Sequence, residues 1–459
     1  MSPAVMLNPD LVRRYDRSGP RYTSYPPATA FHSGFAEADY RAAARIGNRQ
    51  QPPKPLSLYF HIPFCSTVCY YCACNKIVTR NRSRAAPYVA ALLQELALQA
   101  PLFDSERPVE QLHWGGGTPT FLSVEQMRQL MDATRRHFRL RDDDGGEYSI
   151  EIDPRTVDEH DMAALRGLGF NRVSFGVQDF DAKVQKAVNR IQSEQQTLAV
   201  MAAAQRQEFH SISIDLIYGL PFQSVNSFSV TLDKVIAARP DRLAVFNYAH
   251  LPLRFKTQRQ IDASTLPAPE EKLRILALTI DRLQDAGYVY IGMDHFALPQ
   301  DKLSLALADG SLQRNFQGFS SHAQCELVAM GITAIGQVDD CYAQNLRDID
   351  EYYARLKAGK LAVFRGVRLT EDDRLRRRVI ADLICHGYVD KRAVMDDFDG
   401  YFARELARIE PMQADGLLRD DDQGIRVLAP GRLLIRNICM VFDRYLRAES
   451  HPERFSKAI

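Results

Sequence analysis

The chain has 459 residues, 46% of them hydrophobic and 25% charged, an ordinary globular composition long enough for two or three domains with cores of their own. With 58 basic and 57 acidic side chains the net charge is +1, so no overall field favours nucleic acid or an anionic membrane surface. The first residues lack the apolar core of a secretory signal, and no uncharged apolar run of about 18 residues occurs, so a cytoplasmic protein without a membrane span is expected.

From about Leu56 to Met293, short β-branched or aromatic runs alternate with longer helical patterns, as in βαβ units that build a parallel sheet. The strand candidates are 56–62, 111–116, 148–153, 172–178, 211–219, 243–250 and 288–296. Helical patterns fill 87–100, 123–138 and 269–287, and Ser123 and Gln126 have capping-box spacing. Several strands end in glycine or polar residues, among them Gly115 to Thr118, Glu151, Asp153, Gln178 and Asp215. In parallel α/β folds the carboxyl ends of the strands carry the ligand, because their loops form a mouth over a rigid sheet. After about Leu369 the pattern changes. Thr370 caps an acidic first turn and a helix, and a hairpin turning near Gln423 and Gly424 precedes a basic final helix. This predicts a small, mainly helical C-terminal domain with a wing. The acidic "RDDDQ" at the wing tip would repel phosphates, which argues against a nucleic-acid role.

Half of the eight cysteines fall in "HIPFCSTVCYYCACNKI", on the loop that leaves the first strand. The other four, Cys325, Cys341, Cys385 and Cys439, are scattered, which excludes a disulfide framework. Cys65, Cys69, Cys72 and Cys74 follow C-x3-C-x2-C-x-C, without the second separated pair that wraps a structural zinc and without ferredoxin spacing. Three thiolates in one compact loop suit a cubane cluster with one iron left free of protein, a position at which a small molecule can be bound and activated. The C-x3-C-x2-C motif resembles that of the radical S-adenosylmethionine (SAM) enzymes, and "GGGTPT" at the next strand end resembles their SAM-binding glycine run. A fourth ligand would close the free iron, so Cys65, Cys69 and Cys72 are expected to coordinate and Cys74 is not.

The longer matches "RYDRSGPRYTSYP", "YFHIPFCSTVCYYCACNKIVTR", "HWGGGTPT", "FGVQDF", "IDLIYGLP", "FNYAHLP", "RNFQGF", "DCYAQN" and "GRLLIRNICMVFD" resemble the oxygen-independent coproporphyrinogen III oxidases of haem biosynthesis. The resemblance runs from about residue 12 to the C-terminus. It implies a partial (β/α)6 barrel with a 4Fe-4S cluster and two SAM molecules, flanked by an N-terminal arm (1–50) and a helical C-terminal domain (370–459), the barrel domain being 51–369. It implies conversion of two propionates of coproporphyrinogen III to vinyl groups, giving protoporphyrinogen IX and two CO2. The implied route is reductive cleavage of SAM to a 5'-deoxyadenosyl radical that takes a hydrogen from the propionate β-carbon. A reductant such as flavodoxin or ferredoxin and a monomeric state are implied with it.

By position in that family, the SAM at the cluster is expected against Tyr59, Gly116, Glu151 and Ile335. The second is expected against Tyr71, Gly117, Thr118, Gln178, Arg190, Asp215 and Ala249, with Arg190 pairing its carboxylate. His61 and Cys74 are the candidate catalytic residues, against the alternative that His61 is a structural hydrogen-bonder. Arg13, Arg14, Arg17 and Arg21, interleaved with Tyr15, Tyr22 and Tyr25, suit a flat substrate with four propionates, or else simply strap the barrel. Ala73 stands where the family often has glycine. Val338-Asp339 replaces the family's usual isoleucine-glycine, which puts the contact of Ile335 in question. The competing readings are a haem-trafficking relative, which lacks the fourth cysteine and the arginine-tyrosine arm, an iron-sulfur electron carrier, and a zinc-binding module.

Overall fold

The computed structural model describes residues 5–322, 325–448 and 457. The remaining ends of the expected arm and C-terminal domain, 1–4, 449–456 and 458–459, lie outside the described residues. Six strands, β1 (Leu56–Ile62), β2 (Pro108–Gly116), β3 (Glu147–Ile152), β4 (Arg172–Gln178), β5 (Ser211–Tyr218) and β6 (Arg242–Asn247), lie side by side in chain order, each parallel to the next. A helix follows each strand, from Ala85–Gln99 after β1 to Pro269–Asp285 after β6. This is the expected partial (β/α)6 barrel.

Alternation along the strands explains why the sheet curves around a polar interior. Leu58, Phe60, Ile62, Leu112, Trp114, Ile150, Phe175, Ile214 and Leu216 are wholly buried under the helices. The intervening His113, Ser149, Glu151, Ser174, Ser213 and Asp215 face a cavity inside the barrel. The capping box is present as expected: Ser123 Oγ accepts from the Gln126 N–H and Ser123 N–H donates to Gln126 Oε1.

Two edges differ from the sequence expectation. The expected seventh strand, 288–296, is an antiparallel hairpin, Val289–Gly292 with His295–Ala297, the second arm of which pairs antiparallel with β6. The chain reverses at Gly292 and Met293, both with positive φ, which a continuous strand does not accommodate. Beyond β1, the sheet extends through Glu326–Met330, parallel to β1, and then antiparallel through Ile335–Val338, Cys341–Asn345 and Val363–Arg368. This extension does not follow the βαβ pattern and was not anticipated.

In the C-terminal region Thr370 caps Glu371–His386, and a three-stranded sheet of Tyr388–Asp390, Leu418–Asp420 and Gly424–Val427 forms the wing. The arm has no core of its own. Tyr40, Ala43 and Ala44 of Glu37–Asn48 join the barrel core, whereas Tyr22 and Tyr25, 5% and 1% exposed, join the C-terminal core with Val379, Leu383 and Phe442.

Candidate active site

The four clustered cysteines lie on the loop leaving β1, at the carboxyl end of the barrel. Neighbouring loops hold it in place. Asn189 Nδ2 donates to the Val68 carbonyl, Gln258 Nε2 to that of Tyr71, Thr257 Oγ1 to that of Cys72 and Asn75 Nδ2 to Thr333 Oγ1. The glycine run passes directly beneath. Gly117 N–H donates to the Ile62 carbonyl and Thr118 N–H to that of Phe64, each at 2.8 Å. A Cβ on Gly117 would lie 2.6 Å from the Pro63 carbonyl oxygen, so only glycine permits this approach.

Two adjoining cavities open here. One, of about 450 Å³, is lined by Cys65, Cys69, Cys72, Tyr71, Gly117, Thr118, Gln178, Arg190 and Asp215. The other, of about 940 Å³, is lined by Tyr59, His61 and Ile335. Cys74, Gly116 and Glu151 line both. The predicted residues are therefore brought together with one exception: Ala249 lines neither cavity. Its carbonyl accepts from Gln258 Nε2, the same group that holds the Tyr71 carbonyl.

Positive charge gathers beside part of the cysteine loop. Arg190 Nη1 lies 3.5 Å and Arg155 Nη2 3.8 Å from Cys69 Sγ, and Asp153 braces both guanidinium groups. Burial works against the Asp153 carboxylate, but Arg190 and Arg155 hold its pKa below the ordinary value. The Cys72 thiol is pulled down to about 6 by its hydrogen bond with Cys74 and by Lys76, against burial. Cys74 is correspondingly raised, first by that hydrogen bond and the charge of Cys72 and then by burial. Burial pushes Cys65 up to about 11, eased by Thr118 Oγ1 at 3.6 Å.

Among the described residues no three Cys, His, Asp or Glu side chains converge as around a single metal ion. The three spaced thiols instead suit a multinuclear cluster, in which each thiolate serves its own iron. The smaller cavity also presents groups that await a ligand. Gln178 has φ +70, and its buried Oε1 has no partner, nor does Arg190 Nε. The donor set and these orphaned atoms fit a cluster with SAM beside it.

Glu151 accepts from His113 Nε2 at 3.2 Å and from Gly116 N–H at 3.0 Å. Burial opposes its charge, yet these partners and His61 keep its pKa below the ordinary value, so it faces the cavities as an acceptor. Asp215, deep in the same cavity, is raised to about 7 by burial and by the charge of Glu151. His61 Nε2 lies 3.1 Å from the Asn75 carbonyl oxygen, and Nδ1 lies 3.1 Å from Tyr59 OH. A carbonyl only accepts, so Nε2 carries the proton and Nδ1 accepts from Tyr59. Burial lowers the His61 pKa, so the ring is the neutral hinge between β1 and the end of the cysteine loop.

The arm does not reach the site as a row of free cations and rings. Arg13 pairs with Asp10, Arg14 with Asp415 and Arg21 with Asp294, while Tyr22 donates to Asp443 and Tyr25 accepts from Arg444 N–H. Tyr22 and Tyr25 are buried in the C-terminal core and line neither of these two cavities. Sequence reasoning missed Arg155 and His113. Arg155 follows the strand-end Asp153 by two residues, and His113 precedes the glycine run, which are the only local signals for either.

The Radical SAM superfamily model matches residues 59–235 and the HemN C-terminal domain model matches residues 369–434. The chain is 52% identical over 463 residues to the oxygen-independent coproporphyrinogen III oxidase of Pseudomonas aeruginosa, covering 100% of both chains. It is 48% identical over 454 residues to that of Escherichia coli, covering 98% of both. The solved coproporphyrinogen III oxidase (HemN) of Escherichia coli, described as a radical SAM enzyme, superposes with a TM-score of 0.91 at 46% identity, covering 96% of this chain and 100% of that one.

Proposed function

The chain belongs to the oxygen-independent coproporphyrinogen III oxidase family, and we infer on that basis that it converts two propionates of coproporphyrinogen III to vinyl groups. The products are protoporphyrinogen IX and two CO2, and for each propionate one hydrogen atom leaves on 5'-deoxyadenosine and one electron passes to an acceptor. The observation that carries this inference is the full-length match to the oxidases, with the cysteine loop facing a cavity rimmed by glycine backbone, Glu151 and Arg190. The haem-trafficking and electron-carrier alternatives are not favoured by that match.

When bound, the 4Fe-4S cluster and SAM together supply an oxidant able to take one hydrogen atom from an unactivated carbon. The chain's own residues do the rest. We assign Cys65, Cys69 and Cys72 to three irons and leave Cys74 outside the ligand set. Arg155 and Arg190 balance the sulfur charge at Cys69. Glu151, fixed by His113 and Gly116, accepts from ribose hydroxyls, and Tyr59 and Ile335 wall the same SAM. Gly117, Thr118, Gln178, Asp215 and Tyr71 form the second SAM site with Arg190, and Ala249 acts there through the Gln258 bridge. His61 positions Tyr59 and the Asn75 end of the loop and moves no proton in this assignment.

With the activity go a division into arm (1–50), barrel (51–369) and C-terminal domain (370–459), a monomer in the cytoplasm, and a one-electron reductant of the flavodoxin or ferredoxin type. Supporting these are the near-balanced charge and the two separate cores. No helix of the described residues is long and apolar enough to cross a membrane. The test is anaerobic reconstitution and turnover of coproporphyrinogen III with SAM, a low-potential reductant and an electron acceptor. Protoporphyrinogen IX and 5'-deoxyadenosine are expected together, and Cys69→Ser abolishes both. A fully loaded protein that cleaves SAM but leaves coproporphyrinogen III unchanged would refute the inference.

A further inference from the structure

The larger cavity has a basic wall that the arm was expected to provide. Arg347 follows the strand Cys341–Asn345, and Arg365 stands on the neighbouring strand Val363–Arg368; both line the 940 Å³ cavity that also holds Tyr59, Cys74 and Ile335. Arg365 Nε donates to Gln344 Oε1 at 2.7 Å, and its guanidinium lies over the Phe31 ring. Among the described residues neither arginine makes an ion pair. The carboxylate lining that cavity, Glu151, is already engaged by His113 and Gly116. Two guanidinium groups, one on a strand and one on the bend that follows the neighbouring strand, share a cavity without a free counter-charge and repel each other until an anion arrives. Burial first, and that repulsion second, make the charged form of Arg365 less favourable than usual. The strand that carries Arg365 is also held from the other side. His32 of the arm pairs through its backbone with Gly366, where a Cβ would collide with the Tyr342 carbonyl oxygen and the Phe35 ring.

We propose that Arg347 and Arg365 are the receptors for propionate carboxylates of the tetrapyrrole, fixing which propionate faces the cluster end of the cavity. This rests on the substrate class inferred above. The arm then acts indirectly, by pinning the strand that carries Arg365. Guanidinium groups suit the task, because each offers a planar fork that matches a carboxylate.

The test compares reconstituted wild-type holoenzyme with Arg347→Gln, Arg365→Gln and the double variant. Binding of coproporphyrin III, followed by its fluorescence, and KM for coproporphyrinogen III are measured beside SAM affinity and iron content. Each single variant is expected to weaken porphyrin binding and raise KM by about tenfold, and the double variant by about a hundredfold, the usual weight of a charge-assisted hydrogen bond. SAM affinity and iron content stay at the wild-type level. Arg365→Lys, which keeps the charge and loses the fork, recovers part of the affinity. A double variant that turns over with unchanged KM, or whose SAM affinity falls in parallel, overturns the proposal. A wild-type protein that binds coproporphyrin III through these arginines but does not convert coproporphyrinogen III keeps the site and refutes the activity.

Discussion

Replacing Glu326 by glutamine removes the charge from one of the most deeply buried ion pairs in the protein. Arg107 Nη2 lies 2.6 Å from Glu326 Oε2, with the two side chains 0% and 3% exposed. Arg107 Nε also donates to the Lys54 carbonyl and Nη1 to Asn48 Oδ1, while Glu326 Oε1 accepts from the Asp339 N–H at 2.8 Å. The pair thus joins the arm helix, the entry to β1, the strand Glu326–Met330 and the turn at Asp339. Neutralising one partner strands the other charge in a medium that solvates it poorly, which costs about 3–5 kcal/mol. Arg107→Met with Glu326→Leu removes both charges and refills the volume, so the double variant is expected to be less destabilised than either single variant. Urea unfolding of wild type, Glu326→Gln, Arg107→Met, Glu326→Leu and the double variant measures this, read as midpoint and slope together. If Glu326→Gln costs less than about 1 kcal/mol, or if the double variant equals the sum of the singles, the pair is not the clamp described here.

Three further outcomes are expected. Gly117→Ala places a methyl 2.6 Å from the Pro63 carbonyl oxygen and lifts the cysteine loop from the glycine run; strain of about 1–3 kcal/mol falls on that contact, and iron and sulfide content after reconstitution should drop sharply. Asp215 has its carboxyl raised from 3.8 to about 7, so the stability it contributes is complete below pH 4 and is lost as the pH rises through 7. That amounts to about 4 kcal/mol once ionisation is complete, so Asp215→Asn should flatten the melting profile of the cofactor-free protein between pH 5 and 8. Tyr25→Ala empties a site 1% exposed in the C-terminal core and should cost about 3–5 kcal/mol there, read as early proteolysis of the C-terminal domain while the barrel and its cluster persist.

The turn at Asp339 shows how far a sequence position can be read without its surroundings. Glycine replaced by aspartate signalled a special backbone, and φ there is indeed +50, in the left-handed region where aspartate is among the better tolerated residues. That Glu326 would catch its N–H, and that Ile335 would still line the cavity, depended on strands far apart in the chain.

The sequence by itself determined the cysteine loop, the glycine run beneath it and the six parallel strands, because ligand spacing, close backbone approach and period-two burial are written in windows of a few residues. Tertiary structure alone decided the sheet extension beyond β1, the reversal at Gly292 and the fate of the arm's tyrosines. Those outcomes turn on which long-range pairing buries the most apolar surface while satisfying backbone hydrogen bonds. The same extension brings Arg347 and Arg365 to the cavity that Tyr59 lines, from 288 and 306 residues further along the chain, a juxtaposition that no local pattern encodes.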